Sequence, residues 1–148
     1  EDASGVVYQI PCKDCDKVYI GETGRKFGVR KSEHKQEAET IGKTYFTRAK
    51  KKEAGWSLNK SAISDHVAQE NHTIHWNKSK IVSKDSNKFT RWIREAIHIQ
   101  RGRKHIMNRD MGQYKLPPTY IPILSDYKTA DTPSTASQRQ SDEACRKQ

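Results

Sequence analysis

Cys12-Lys13-Asp14-Cys15 and the histidines His66 and His72 are the residues whose types and spacing point most directly to chemistry. A two-residue gap lets both sulfurs of a thiolate knuckle face one ion, and two imidazoles can complete a tetrahedral Cys2His2 site for Zn2+. His66 falls in the last turns of a short helix expected over Ala62–Glu70, and His72 lies just past its end. That arrangement can point both rings the same way. Five residues separate the two histidines, at the upper end of the usual ligand spacing. His75 competes with either of them as a ligand, and a CxxC taken alone also fits a redox pair. Three cysteines are poor material for a disulfide framework, so metal-bound thiolates in a reducing compartment fit better.

Positioning such a site requires regular elements on either side of it. Gly5–Ile10 and Lys17–Gly21 are rich in β-branched and aromatic residues and predict an antiparallel strand pair, with Pro11 ending the first run and Gly21 closing the second. The CxxC then sits in their connection, Pro11–Asp16. Arg25–Glu39 reads as a polar helix, weakened by Gly28, with Phe27, Arg30, Lys31 and His34 on one face. Ser61 is the expected N-cap of the short helix and Asn71 its stop. Lys80–Ser83 is a candidate third strand. Phe89, Trp92, Ile93, Ala96 and Ile97 follow the helical period and predict an amphipathic helix from Asn87 to Arg101, ended by Gly102. Pro117, Pro118 and Pro122 then predict an extended exit.

Composition bounds what these elements can build. The 148 residues suit one small domain, and with 32% hydrophobic residues its core must be modest and would benefit from a metal staple. No apolar stretch approaches a membrane span and no hydrophobic signal region opens the chain. It begins at Glu1 and not Met, so we read it as a piece of a larger protein. The expected domain is 1–124, with 41–60 as a basic connector and 61–76 joining the knuckle as the zinc-binding part. The Ser/Thr/Gln-rich remainder, 125–148, is expected to be disordered. That tail holds four Lys/Arg and four Asp/Glu, so the net charge of +10 lies wholly on residues 1–124. A basic domain points first to nucleic acid and second to anionic membranes, and by itself says nothing of catalysis.

A resemblance joins further residues to this frame. Gly5-Val6-Val7-Tyr8 followed by Tyr19-Ile20-Gly21 resembles the paired signature of the GIY-YIG nucleases, an α+β fold with a short, mostly antiparallel sheet flanked by helices. Beyond it come Arg30 and His34, Glu95 on a later helix and Asn108 in an Asn-Arg-Asp segment, in the family's order and approximate spacing. The CxxC between the two tyrosine motifs, the Asp65-His66 and Asn71-His72 pairs, Trp76 and Met107–Asp110 resemble one branch more closely. That branch is the endonuclease domain of Penelope-like retroelements, with its Cys-Cys-His-His insertion. The resemblance covers residues 4–124. It departs in carrying Val where the name has Ile, and in the connector between His34 and His66, which has no counterpart in the family core.

The resemblance implies a DNA endonuclease that cuts by phosphodiester hydrolysis. Such a reaction needs an activated water, compensation for charge growing on the phosphate, and help for the leaving oxygen. Glu95 is then the ligand of a catalytic Mg2+ or Mn2+, an ion bound through one or two carboxylates that keeps positions open for phosphate oxygens. Without the resemblance, Glu95 reads as an i, i+4 partner of Arg91. Arg30 offers a planar fork of donors to the phosphate, and His34 suits proton transfer or water orientation. Tyr8 and Tyr19 position or activate the water by implication, and Asn108 braces the backbone. Lys50, Lys51, Lys52, Arg101, Arg103 and Lys104 are candidates for phosphate contacts that position DNA without reading it. The nick would supply a 3′ hydroxyl for target-primed reverse transcription, implying a fused reverse transcriptase, the element's RNA and a nuclear site of action. Two other readings stay open: a zinc-stabilised nucleic-acid-binding module that does not cut, and a cellular repair or structure-specific nuclease of the same superfamily.

Overall fold

The structure, a computed structural model, describes residues 2–44 and 61–126. It is an α+β domain in which a three-stranded antiparallel sheet is flanked by helices, as expected from the sequence. Strand β1 (Val6–Pro11) lies in the middle, between β2 (Val18–Thr23) and β3 (Lys80–Lys84). Tyr8 pairs with Gly21 and Ile10 with Tyr19 across the β1–β2 ladder. The second strand does not close at Gly21: it runs on to Thr23, because the backbone of Glu22 and Thr23 still has Val7 and Val6 to pair with. On the other side the β1–β3 register slips between Val7 and Tyr8, a local bulge. Lysines at both ends of β3 (Lys80 and Lys84) are exposed on this outer strand, a charge placement that discourages further strand pairing.

Alternation along β1 divides the core into two layers. Val6, Tyr8 and Ile10 face Phe27, Ala38, Ile63 and Ile74 on one side of the sheet. Val7 turns to the other side, with Ile20 and Ile99. All four of these β1 side chains are fully buried. The first layer is built on α1 (Phe27–Thr44) and α2 (Ala62–Glu70), the second on α3 (Lys88–Arg101). Helix α1 runs past the expected end at Glu39, so its last turn occupies the start of the expected connector; residues 45–60, including Lys50, Lys51 and Lys52, lie outside the described residues. Among the described residues no helix is long and apolar enough to cross a membrane.

The caps of α2 are those the sequence indicated. The Ser61 hydroxyl accepts from the Ser64 amide, and Asn71 ends the helix in the left-handed conformation at φ 57°, ψ 35°. Helix α3 starts at the Asn87 cap, whose side chain accepts from the Thr90 amide. Its buried face is not the one the apolar period indicated. Arg91, Glu95, Ala96, Ile99 and Gln100 face inward, while Phe89 is 55% exposed. A period drawn through apolar residues alone misplaces the face when an ion pair and a carboxylate occupy its centre. The exit is also different: after Pro117 and Pro118 the chain forms α4 (Tyr120–Asp126). Pro122 is tolerated there because it sits in the first turn, where no intrahelical N–H bond is lost. The helix crosses the expected boundary at 124; residues 127–148 of the expected tail lie outside the described residues.

The segment after α3 closes the open side of β2. Val18 donates its amide to the His105 carbonyl and accepts from the Met107 amide. Next to it the Asn108 side chain imitates a strand, accepting from the Ile20 amide at 2.9 Å and donating to the Ile20 carbonyl at 2.7 Å. Arg109 then reaches α2, pairing with Asp65 and donating to the Ser61 carbonyl. Asn108→Ala strands both backbone groups of Ile20 and is expected to cost about 2–3 kcal/mol in urea unfolding; an unchanged midpoint would show that the brace carries no stability.

Candidate functional site

The knuckle hangs from the end of β1. Cys12 bridges to Ile74, the Lys13 amide donates to the Thr73 carbonyl, and the His75 amide donates to the Pro11 carbonyl. The Asp14 carboxylate accepts from the Thr73 amide. These bonds clamp the knuckle against the chain leaving α2, which carries His72, while α2 itself supplies His66. The ligand atoms of Cys12, Cys15, His66 and His72 lie within 4.8 Å of one another, and among the described residues they form the one such group of three or more His, Cys, Asp or Glu side chains. His75 is outside it; that competition is resolved in favour of His66 and His72.

The spacings test whether an ion fits. His66 Nε2 lies 3.4 Å from Cys12 Sγ, 3.6 Å from Cys15 Sγ and 3.2 Å from His72 Nδ1. A tetrahedral site with zinc–nitrogen bonds of ~2.05 Å and zinc–sulfur bonds of ~2.3 Å has edges of about 3.3 Å (N to N) and about 3.6 Å (S to N). One ring nitrogen facing three donors is also more than a single hydrogen bond can satisfy. The set therefore fits a metal ion such as zinc. Burial raises the Cys15 thiol and lowers the His66 imidazole, which favours the neutral form of both. A cation is what would make the thiolates favourable there.

A second group forms on the α1 side of the sheet. Tyr8, wholly buried on β1, meets His34 of α1 with 3.0 Å between Oη and Nε2. The Tyr19 ring stands edge-on to the His34 ring, 5.2 Å between centroids, and tilted 6.3 Å from Tyr8. Phe27 packs on Tyr8 from below at 4.9 Å. Gly21 makes this possible: a Cβ there would stand 2.7 Å from the Tyr8 hydroxyl and 2.8 Å from the Tyr19 ring. Arg30, one turn before His34, is within hydrogen-bonding reach of the Tyr8 hydroxyl and is tied to Glu33 at 2.9 Å. Glu33 is itself gripped by Arg25 at 2.7 and 2.9 Å.

Burial sets the charge states. It pushes the Tyr8 phenol far above its ordinary range, with Tyr19 adding to the effect, and pushes Tyr19 up to about 12. Neither is a tyrosinate at neutral pH, which removes them as resident general bases. Burial and then the Arg30 charge lower His34 to about 4, so its ring is neutral. Burial works against the charge on Arg30 too, but Glu33 and the phenols outweigh it and its pKa rises. His34 is neutral, and in the tautomer with its proton on Nδ1 its Nε2 accepts from the Tyr8 O–H. His34 Nδ1, which then carries the ring proton, is buried with no hydrogen-bond partner among the described residues.

Glu95 approaches from α3, and its charge reaches both phenols. It does not pair with Arg91. Arg91 instead bonds Glu22 at 3.0 Å and the Asp85 and Ser86 carbonyls, a nearly buried ion pair that docks α3 on β2. Glu95 is left 8% exposed with Oε2 unpartnered, and Gly112, at φ +88°, passes so close that a Cβ would lie 3.1 Å from that oxygen. Burial, then the charges of Glu22 and Asp110, raise the carboxyl to about 7. A buried, orphaned carboxylate oxygen under acidic pressure is a fitting ligand for a divalent cation. Asn108 takes no part in this group and acts as the brace described above. Arg101, Arg103 and Lys104 are exposed at the far end of α3. Sequence reasoning missed Glu22, Glu33 and Gly112 and reached Arg91 only as a partner of Glu95; of the three missed, only Glu33, three residues from Arg30, carries a local signal.

Scans against family models, curated proteins and solved structures find no match to this chain. The functional reading therefore rests on the two groups just described.

Metal analysis of the purified chain is expected to give one zinc, falling well below one in Cys12→Ser and in His72→Ala; full stoichiometry in both variants would refute the site. A second expectation concerns Glu95. A carboxyl raised from 4.5 to about 7 stabilises the fold at low pH, and that contribution is lost as pH rises to about 7. His34, lowered from 6.5 to about 4, acts in the opposite sense, losing its contribution as pH falls to about 4. Glu95→Gln isolates the first effect. Without divalent cations, the stability of wild type relative to Glu95→Gln should fall by on the order of 3 kcal/mol between pH 4.5 and pH 7 in urea titrations; parallel pH profiles would contradict it.

Proposed function

We propose that this chain is a metal-dependent DNA endonuclease of the GIY-YIG type, with zinc at the Cys2His2 group as a structural staple. The observation that carries this reading is the 3.0 Å hydrogen bond between buried Tyr8 and neutral His34, with the charges of Arg30 and of Glu95, whose Oε2 has no hydrogen-bond partner among the described residues, both bearing on the phenol. These residues come from β1, α1 and α3, far apart in sequence, and a purely packed core has no use for such a set.

Each residue has a role in phosphodiester hydrolysis. Arg30 is oriented by Glu33 and presents its remaining donors to the phosphate, compensating charge as the transition state forms. A water hydrogen-bonded at Tyr8 gives up its proton toward the phenol oxygen as the phenol passes its own to His34. The water oxygen bonds phosphorus, the P–O3′ bond breaks, and the 3′ oxygen takes up a proton from bulk water, to which His34 returns the proton it received. Glu95 would hold Mg2+ or Mn2+, which supplies Lewis-acid stabilisation of the phosphate when bound. Phe27 and the half-buried Tyr19 ring pack against the Tyr8–His34 pair, so the attacking water would reach the buried Tyr8 hydroxyl by displacing the Tyr19 ring. Arg101, Arg103 and Lys104 are suited to phosphate contacts along the flanking DNA.

The resemblance to the Penelope-like branch extends the proposal. The 3′ hydroxyl left by the nick would prime copying of the element's RNA by a fused or adjacent reverse transcriptase acting on nuclear DNA. A non-cutting binding module remains the competing reading, favoured only if the chain binds DNA without turnover.

Supercoiled plasmid incubated with the chain and Mg2+ or Mn2+ is expected to give nicked circles. Glu95→Ala and Arg30→Ala should each slow nicking by at least a hundredfold, on the scale of about 3 kcal/mol or more of lost transition-state stabilisation. Equal nicking by Glu95→Ala and wild type would sink the assignment of Glu95, and no nicking by wild type would sink the enzyme.

A further inference from the structure

An aromatic group on the exposed side of α3 belongs to neither site. Phe89 is 55% exposed although three ring systems gather there. Its ring meets Tyr114 edge-on at 5.5 Å and 85°, and Trp92 at 6.5 Å and 64°. Trp92 is fixed by a 3.3 Å bond from its Nε1 to Glu22, and the Lys88 ammonium lies over its face, 4.8 Å from the centroid. The ring of Phe89 thus touches two others, of which Trp92 is itself anchored, and more than half of the residue faces solvent. A phenyl ring that merely completed a core would be covered.

The position relative to Glu95 is what gives this patch meaning. Trp92 lies one turn before Glu95 on α3, and its anchor Glu22 is one of the charges that bears on Glu95. Tyr114 follows Gly112, the residue that packs against Glu95 Oε2. Phe89 is six residues from Glu95, roughly 9 Å along a helix. Two exposed lysines flank the rings, Lys88 with its ammonium over Trp92 and Lys115 next in sequence to Tyr114. Aromatic faces set among cations suit a polyanion that also offers flat apolar faces. A base-paired duplex keeps its base faces stacked internally, so the ligand that fits is an unpaired base.

We propose that Phe89, steadied by Trp92 and Tyr114, is a stacking platform for an unpaired nucleobase of the DNA held at Glu95. The chain on this account prefers DNA carrying a flipped or bulged base over fully paired duplex. The proposal uses the endonuclease reading only to place DNA at Glu95. Its own claim is one of binding.

The test uses the full chain in Ca2+, with two otherwise identical fluorescein-labelled duplexes, one fully paired and one with a single bulged 2-aminopurine. Wild type is expected to bind the bulged duplex about tenfold more tightly, with 2-aminopurine fluorescence quenched on binding. Phe89→Ala should abolish both the preference and the quenching while leaving affinity for paired DNA within about twofold, and Phe89→Trp should retain both. Equal affinity of wild type for the two duplexes would overturn the platform and leave the patch to a protein contact. A preference that survives Phe89→Ala would overturn it as well. The two proposals fail separately. Phe89-dependent bulge binding without any Mg2+-dependent nicking keeps the platform and removes the endonuclease. Glu95-dependent nicking with no bulge preference does the reverse.

Discussion

The chemistry of this chain hangs from β1, among the described residues the one strand paired with strands on both edges and covered on both faces. Val6, Val7, Tyr8 and Ile10 are wholly removed from water, which for a chain only 32% hydrophobic concentrates much of its apolar burial on one short segment. Tyr8 projects from the middle of the strand into the layer formed by α1, and Cys12 follows from its end into the layer formed by α2. A shift of register by one residue would send Tyr8 to the α3 side and dismantle the pair with His34. Packing fixes that register: Gly21 opposite Tyr8 leaves the space the phenol needs, and Asn108 locks Ile20 beside it.

Burial then does electrostatic work in three places with different consequences. Around Tyr8 and His34 it favours neutral forms, leaving a hydrogen-bonded pair without charge at neutral pH. Around Cys15 and His66 it also favours neutral forms, so an ion is needed to draw the sulfurs into their charged state. Around Glu95 it leaves one carboxylate half ionised near neutrality while the adjacent Glu22 carboxylate is matched by Arg91. The contrast between Glu22 and Glu95 is instructive. Both are acidic residues at the contact between β2 and α3; one has its cation built in, and the other has a buried oxygen with no hydrogen-bond partner among the described residues.

Much of this frame was legible in the sequence. Local signals gave the strand pair, the Ser61 and Asn71 caps and the Cys2His2 set, because those features depend on neighbours a few residues away or on ligand chemistry. What could not be read depended on contacts distant in sequence. Counting apolar residues placed Phe89 in the core and Glu95 at its margin; the structure reverses them, since the Glu22–Arg91 pair turns α3 by the face it buries. The i, i+4 spacing of Arg91 and Glu95 suggested a pair that the Glu22 carboxylate, approaching from β2, takes apart. Prolines near 117–122 suggested an extended chain, yet Pro122 falls in a first helical turn where it costs no hydrogen bond. The tyrosines were legible as site residues, but their charge state was not, because it is set by burial on a strand that sequence alone does not place.

On the proposed reading, Glu95 is the ligand of a divalent cation beside the Tyr8–His34 pair. The most direct test is the anomalous difference map of crystals grown with Mn2+ and a short DNA duplex. A peak within coordination distance of Glu95 Oε2, with a phosphate oxygen sharing the ion and Arg30 on the same phosphate, is the expected result. Ordered DNA with no Mn2+ at Glu95, or Mn2+ bound only elsewhere on the chain, would contradict it.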